Sequence, residues 1–559
     1  MKASTIILSA VLTLLPVGLA LAQPAPTMAP LHQDLAASIT PRTGFIRPAV
    51  DLPHLDGKRM PARFASVVPP DQWDWRAEGR VSPVKDQGAC GACYAFASLA
   101  NIESKMLIDG EGLYDFSENN VKECNWYQTG CGGGNYDMMA DFLAKSGTVL
   151  EACDPYVAGD DACTTGCAYQ KTLLDWRIIS TSSVPTTEVL QQYIYDNGPV
   201  YVAIYAGDGN DPAWSSEFSS YDGTYTLYYA DTYEPNHAVL IVGWDNSLTH
   251  AGGTGGWICK NSWGTGWGGT CGYGVEGGYF TIAYGSASIG TWSSFVQNWQ
   301  DYDDQGELLY YDEGGWSSNW GFNNVTAWGM AEFIPSSSTY LTRVEFWTND
   351  ITTDVDIYIY DDYNGYQPIM LLASSLDHSY DEAGYHSVAL SSPPQLSAGD
   401  AVYAMIKITN SSYKYPLVAD NQGPHETDKT FMSHNGANGT WYDLGLNQSN
   451  DLGLRIRTSS AVGVPDRQSA ELPGSILLHK SYPNPFNSIS TIEYTLTNES
   501  QVSLAIYDLL GRRISLLAAG KQPAGSHKVQ WQADVPSGFY FYKIQAGDQS
   551  GVGSMLLLK

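Results

Sequence analysis

Gln87-Gly88-Ala89-Cys90-Gly91-Ala92-Cys93-Tyr94-Ala95-Phe96 is the stretch on which the reading of this chain turns. The residues that follow, Ala97 to Ile108, contain neither Pro nor Gly, and the run ends at Gly110. Phe96, Leu99, Ala100 and Leu107 recur roughly at helical spacing, which predicts a helix with Cys93 in its first turn. The unpaired N–H groups at such a helix start carry partial positive charge, which favours a thiolate over a thiol. A thiolate held there is a nucleophile suited to a peptide carbonyl, provided a base stands beside it.

The base has to come from elsewhere in the chain. His237 opens the apolar, strand-like run Asn236-His237-Ala238-Val239-Leu240-Ile241-Val242-Gly243-Trp244. It lies ~140 residues beyond Cys93, within the interval expected for a site of this type. Lys260-Asn261-Ser262-Trp263-Gly264 follows shortly after. The carbonyl of Asn261 is able to accept the second ring N–H of His237, fixing its tautomer and aiming it at sulfur, with Trp263 as a shield from water. Gln87 has an amide N–H to offer, with the backbone N–H of Cys93, to the oxyanion formed during attack. Taken singly, a Cys is most often structural, a His on an apolar run is most often a satisfied core residue, and Gln87 reads as a turn residue. It is the set that carries the argument.

Three runs link that set to a known family. Trp73-Asp74-Trp75-Arg76 with Pro83-Val84-Lys85-Asp86-Gln87-Gly88 resembles the mature start of papain-family cysteine proteases. Cys90-Gly91-Ala92-Cys93-Tyr94 stands where that family has Cys-Gly-Ser-Cys-Trp, and Gly130-Cys131-Gly132-Gly133-Gly134 where it has Gly-Cys-Asn-Gly-Gly. The His237 and Asn261 runs then come in the family's order. The resemblance implies a two-lobed α+β protease fold, with Cys93 as nucleophile, His237 as base, Asn261 as its orienter and Gln87 as oxyanion donor. It also implies that Gly133 and Gly134 present backbone to an extended substrate, and that Ala203 and Ala238 line the pocket for the substrate's second residue. The sequence departs from the family at Tyr94, in the Gly-rich insertion at Ala251–Gly256, and in an N-terminal segment shorter than the usual inhibitory pro-domain. The last departure puts self-inhibition by the standard route in question.

Nine cysteines, all in the first half of the chain, leave one over in an exported protein. If Cys93 is the free one, eight remain for four bridges. The family pattern suggests Cys90 with Cys131, and Cys124 with Cys163 or Cys167, leaving Cys153 for the other; Cys259 and Cys271 are spare and close in sequence. The Cys163–Cys167 spacing also admits metal ligation, but no His pattern supports it.

The rest of the chain reads as an export system around that domain. Lys2, an apolar run from about Ile6 to Leu21 and the small residues Ala20-Leu21-Ala22 predict a signal peptide over 1–22 rather than a buried helix, and no segment is long enough for a transmembrane span. A net charge of -30 argues against nucleic acid and anionic membrane surfaces. A pro-segment or N-terminal arm is expected over 23–66 and the protease domain over 67–290. Alternating runs such as Val355–Tyr360 and Ala401–Ile406, divided by turns at Tyr363-Asn364-Gly365 and Ser397-Ala398-Gly399-Asp400, predict an antiparallel β-sandwich over 297–459. It resembles the lectin-like domain attached to some prokaryotic papain-type proteases, which implies a carbohydrate or cell-surface ligand; a structural spacer is the alternative. A linker over 460–474 leads to a small all-β module over 475–559. Its Tyr482-Pro483-Asn484-Pro485-Phe486-Asn487, Ile506–Arg512 and Ser537-Gly538-Phe539-Tyr540 runs resemble the sorting domain of the type IX secretion system. That implies the type IX machinery as a partner, passage through a Gram-negative periplasm, and secretion or surface attachment. The expected function is a secreted cysteine endopeptidase that hydrolyses protein or peptide substrates through a thioester on Cys93, with no metal or organic cofactor. Its rivals are a catalytically inactive protease fold serving as a carbohydrate- or protein-binding surface module, and a Cys–His amidase of cell-wall peptides.

Overall fold

Ala92 has no side-chain oxygen to cap a helix, so the helix α1 (Cys93–Ile108) starts with its first N–H groups open. α1 is buried on every face from Cys93 to Met106, the mark of a helix at the centre of a domain rather than on its surface. Two helices pack against it, α2 (Glu118–Cys124) and α3 (Tyr136–Lys145). Their starts are capped by the side chains of Ser117 and Asn135, which accept from the N–H groups of Asn120 and Met138. The strand His237–His250 lies on the other side of α1. That places the two halves of the expected catalytic pair on opposite lobes. In this computed structural model the described residues are 24–30, 42–55, 68–436 and 439–460, with 476–478, 481, 486–496, 500–507, 512–523, 525–546, 549–557 and 559 in the C-terminal region. The expected signal peptide, nearly all of the expected linker and Tyr482–Pro485 lie outside them.

The second lobe is an antiparallel sheet that does not stop at the first domain. Its strands run in the order Tyr279–Ala283, Gly253–Lys260, His237–His250, Val200–Ile204, Thr291–Asp301 and Lys171–Ile178. Lys171–Ile178 then pairs with Ala383–Ala389 of the middle domain, Ile178 opposite Ala383, and the sheet continues through Thr339–Thr348 and Leu454–Ser459. The Gly-rich insertion forms the tip of the hairpin between His237–His250 and Gly253–Lys260. The middle domain closes over its part of this sheet with a second one, in the order Pro368–Tyr380, Thr353–Tyr363, Val402–Thr409, Thr326–Phe333, Thr430–Ser433 and Trp441–Asp443. Phe346 and Leu454 from one sheet meet Ile357 and Ile406 from the other in a common apolar core. The first run read as a strand from the sequence falls inside Thr353–Tyr363, the second, apart from Ala401, inside Val402–Thr409, and the two pair with each other. The fold is α+β.

The first and middle domains share a core as well as a sheet. Trp347, Tyr385 and Val418 of the middle domain belong to the same buried cluster as Cys93, Leu99 and Leu143. Arg455 is sealed within this junction, with its guanidinium over the Trp347 ring. It donates to Asp312 at 2.6 Å and to Asp141 of α3. Removing the arginine leaves two buried carboxylates without their main counter-charge, a loss that typically costs ~3–5 kcal/mol. Arg455→Met is therefore expected to lower the thermal unfolding midpoint by roughly 5 °C or more. A midpoint within a degree of the parent would show that this network does not hold the junction.

The C-terminal unit, described by itself, is a pair of small antiparallel sheets. One contains Ile476–Leu478, Ile489–Leu496 and Gly525–Gln532; the other contains Arg513–Gln522, Ser500–Tyr507, Gly538–Ala546 and Gln549–Leu557. Ile492, Leu504, Trp531 and Ile544 fill the space between them.

Disulfides join Cys90 to Cys131, Cys124 to Cys163 and Cys153 to Cys167. Cys163 and Cys167 are thus in bridges rather than free to ligate a metal. The expectation of four bridges is corrected to three: Cys259 and Cys271 are free thiols alongside Cys93. Cys259 points into the packed core of the second lobe, while Cys271 sits in a turn with a left-handed φ of 44°.

Candidate active site

The sulfur of Cys93 lies where the open end of α1 meets the start of the strand His237–His250. Its hydrogen bonds come from backbone: Ala238 N–H at 3.4 Å, with the N–H groups of Cys93 itself, Tyr94 and Gly44 also acting on it. All four favour the thiolate. Burial opposes them and wins, pushing the Cys93 thiol up to about 12. On the facing strand, His237 Nε2 meets Asn261 Oδ1 at 2.8 Å. The same oxygen accepts the Ser262 N–H at 2.9 Å, which holds it in place. With Nε2 committed to Asn261, the other nitrogen, Nδ1, is left for chemistry; it is buried and makes no hydrogen bond among the described residues. Burial lowers the His237 imidazole to about 4, against the opposing pull of Asn261. The Trp263 ring, 5.0 Å from the His237 ring by centroids, covers this pair. In this state both groups are neutral, a thiol and an imidazole.

What fills the cleft explains the burial. Residues 42–55 run through it. The carbonyl of Arg42 accepts from Gln87 Nε2 at 3.1 Å and from Trp263 Nε1 at 3.1 Å. Gln87 is held in turn by Ser262, whose hydroxyl donates to Gln87 Oε1 at 2.6 Å. Gly44 N–H and Phe45 N–H both donate to Asn236 O, and Ile46 N–H donates to Gly134 O at 2.8 Å while Gly134 N–H donates to Gly44 O at 2.9 Å. Phe45 and Gly134 form a parallel bridge. A Cβ at Gly44 would fall 1.8 Å from Gly91 O, so only glycine passes this close to the start of α1. Phe45 is fully buried, in one cluster with Tyr136, Tyr201, Ala203 and Ala238. The Gly44 N–H, which donates to Asn236 O, is thus also one of the groups acting on the sulfur.

The residues singled out from the sequence converge here. Gln87, Cys93, His237 and Asn261 surround one end of the cleft, and Gly134 pairs with the occupying chain. Gly133 sits beside it with φ 99°, where a Cβ would meet Gly44 O at 2.7 Å. Ala203 and Ala238 are cross-strand partners at the floor. Tyr94, in place of the family's Trp, donates its hydroxyl to Gly130 O at 2.8 Å, and its ring packs on Gly134. Two features were missed. Asn236 supplies a carbonyl that takes two N–H groups from the occupying chain, and it was seen only as the neighbour of His237. The occupant itself, Arg42 to Leu55, has no periodicity that would have marked it.

Comparison with known proteins follows the same divisions. Residues 69–296 match the family model of papain family cysteine proteases, residues 308–455 that of lectin like domains, and residues 480–557 that of secretion system C-terminal sorting domains. Over 202 residues the chain is 33% identical to a viral cathepsin of Heliothis zea nuclear polyhedrosis virus, covering 36% of this chain and 50% of that protein. Over 217 residues it is 34% identical to cysteine proteinase A of Leishmania mexicana, covering 38% and 55%. The chain thus spans about half the length of these curated relatives. The solved structure of the cysteine protease and lectin-like domains of Cwp84, a surface layer associated protein of Clostridium difficile, superposes with a TM-score of 0.62 at 16% identity. That match covers 78% of this chain and 98% of that one, and shows a shared arrangement of the two domains' folds.

Proposed function

We propose, from the premise that residues 69–296 form a papain-family cysteine protease domain, that the chain is an exported cysteine endopeptidase made as a self-blocked precursor. Cys93 attacks the substrate carbonyl carbon. Its proton passes to His237 Nδ1, and the oxyanion is taken by Gln87 Nε2 and the Cys93 N–H. His237 then protonates the leaving amine, and water, deprotonated by the same imidazole, releases the acid from the thioester. Asn261 keeps Nε2 occupied, so that Nδ1 is the nitrogen that exchanges the proton. Gly134 receives the substrate backbone, and the floor at Ala203 and Ala238 takes a bulky apolar side chain where Phe45 now lies. The single observation that carries this reading is the carbonyl of Arg42. It already sits between the Gln87 amide and Trp263, so the cleft holds a peptide carbonyl at the expected oxyanion donor.

The sorting-domain match supports export through the type IX system, with the periplasm as its route and the cell exterior as its destination. Among the described residues no helix is long and apolar enough to cross a membrane.

A thiol-reactive epoxide tests the site directly. Once residues 23–66 have been cut away, one equivalent is expected on Cys93, and none when His237 is Ala. Denatured casein is expected to be cleaved and peptidoglycan fragments left intact. The reverse preference would favour the amidase, and no labelling at all the inactive binding module.

A further inference from the structure

Residues 24–30 and 42–55 have little regular structure of their own. Their regular elements among the described residues are a two-residue strand, Thr27–Met28, and one turn of 3₁₀ helix, Pro53–Leu55. Ordering such a chain costs ~1–2 kcal/mol per residue in backbone entropy, so every tie along it counts. Residues 42–55 are tied to the cleft side by their backbone bonds, by the Thr181 and Ser182 hydroxyls on Asp51 and by the burial of Val50, Leu52 and Leu55, and a second set of ties lies on the middle domain. Thr27–Met28 adds to the edge of the strand Ser318–Gly321, Thr27 opposite Gly321 and Met28 opposite Trp320. Ala29 N–H extends the ladder to Asn319 O at 2.8 Å. At the other end, His54 lies flat on Tyr413, with ring centroids 3.9 Å apart and planes 4° from parallel. Its Nε2 donates to Asn349 O at 2.8 Å and stands 4.0 Å from Asp350 Oδ1.

That niche is rigid. Asn349 Nδ2 donates to Asn319 Oδ1 and to Tyr415 O, and Asn410 Nδ2 donates to Asn349 Oδ1. Asp350 Oδ2 gathers the N–H groups of Ser412 and Tyr413. Asn319 thus belongs to both anchor points, its backbone to the strand and its side chain to the His54 niche.

We infer that the middle domain is the docking surface for the N-terminal segment. It holds residues 24–30 by strand addition and His54 in the Tyr413–Asn349–Asp350 niche, and so keeps the cleft filled between two fixed points. This rests on the reading of residues 42–55 as an inhibitory segment. It assigns to the middle domain a share of the affinity that keeps the segment in place.

The test uses the full chain with Cys93→Ala, and with a site-specific protease sequence in place of residues 58–64. After nicking, retention of the N-terminal fragment is followed by gel filtration and mass spectrometry, and its release by a dye at its N-terminus. The parent fragment is expected to stay bound through gel filtration. His54→Ala and Ala29→Pro, the second of which removes the N–H that bonds Asn319 O, alter only the fragment and are each expected to speed release about tenfold, and Tyr413→Ala to match His54→Ala. Loss of the fragment from the nicked parent, or release rates unchanged by all three substitutions, would overturn the inference. Because Cys93 is absent, the result does not depend on catalysis. A wrong proteolytic reading would show instead as no hydrolysis by the nicked Cys93 chain after the fragment has been washed out.

Discussion

Cys93→Ala, in protein freed of its N-terminal segment, is expected to lose hydrolysis of denatured casein by a factor on the order of 10⁴–10⁶, the scale seen when a covalent nucleophile is removed from a comparable triad. The expectation rests on geometry that no other group in the cleft reproduces. The sulfur sits at the uncapped start of α1, within reach of the Ala238 N–H, and His237 Nδ1 is the unbonded nitrogen of an imidazole whose other face is fixed by Asn261. Alanine keeps the helix and removes the only atom able to form the thioester. His237→Ala should fall nearly as far, and the double variant no further than the worse single one, because the two act as one unit. Near-parental turnover by Cys93→Ala would mean that the cleft hydrolyses by another route. Independent, multiplying losses would mean that sulfur and imidazole do not share a proton.

The helix at Cys93 was legible because a dozen residues without Pro or Gly leave few alternatives to an α-helix. The strand at His237 was legible because an apolar run so long has to be buried. Asn261 and Gln87 were legible only as members of an ordered set. Other features were hidden for physical reasons. The sheet that runs from Lys171–Ile178 into Ala383–Ala389 is a pairing across some two hundred residues, and edge complementarity leaves no local signature. Thr291–Asp301, which pairs with Val200–Ile204 and Lys171–Ile178, begins just past 290, the expected end of the protease domain. Cys259 and Cys271 looked like a pair because they are close in sequence, yet a disulfide depends on the direction of the side chains. The segment in the cleft was hardest of all. Its bonds beside the sulfur are made by backbone to Gly134 and Asn236, so Gly44 and Phe45 carry the fit there while their neighbours read as unpatterned chain. Its shortness puts self-inhibition by the standard route in question; its passage beside the sulfur argues for inhibition.

Cutting the chain between residues 56 and 67 and removing the fragment is expected to change Cys93 more than any substitution. In the intact chain the segment excludes water from both partners. Burial holds the thiol at about 12 and the imidazole at about 4, so proton transfer from sulfur to His237 runs uphill through the whole neutral range. Removing Gly44 and Phe45 admits water, and the penalty on each charged form falls. The three backbone N–H groups that remain around the sulfur, those of Cys93, Tyr94 and Ala238, already favour the thiolate and then act without that opposition, and the histidine can carry the proton as an imidazolium. The thiol value must move down and the histidine value up. Once they cross, the ion pair becomes the ground state, and the thiolate persists at pH values well below those of an ordinary cysteine. Alkylation by iodoacetamide at pH 7 should therefore be at least ~100-fold faster in the cleaved protein, since the thiolate is the reactive species. Its rate should level off below pH 8, whereas in the intact chain it should stay slow and still be rising at pH 9. Casein hydrolysis should appear with the same time course as loss of the fragment. Equal alkylation rates before and after removal would show that the segment does not control the sulfur, and that the low reactivity belongs to the cleft itself.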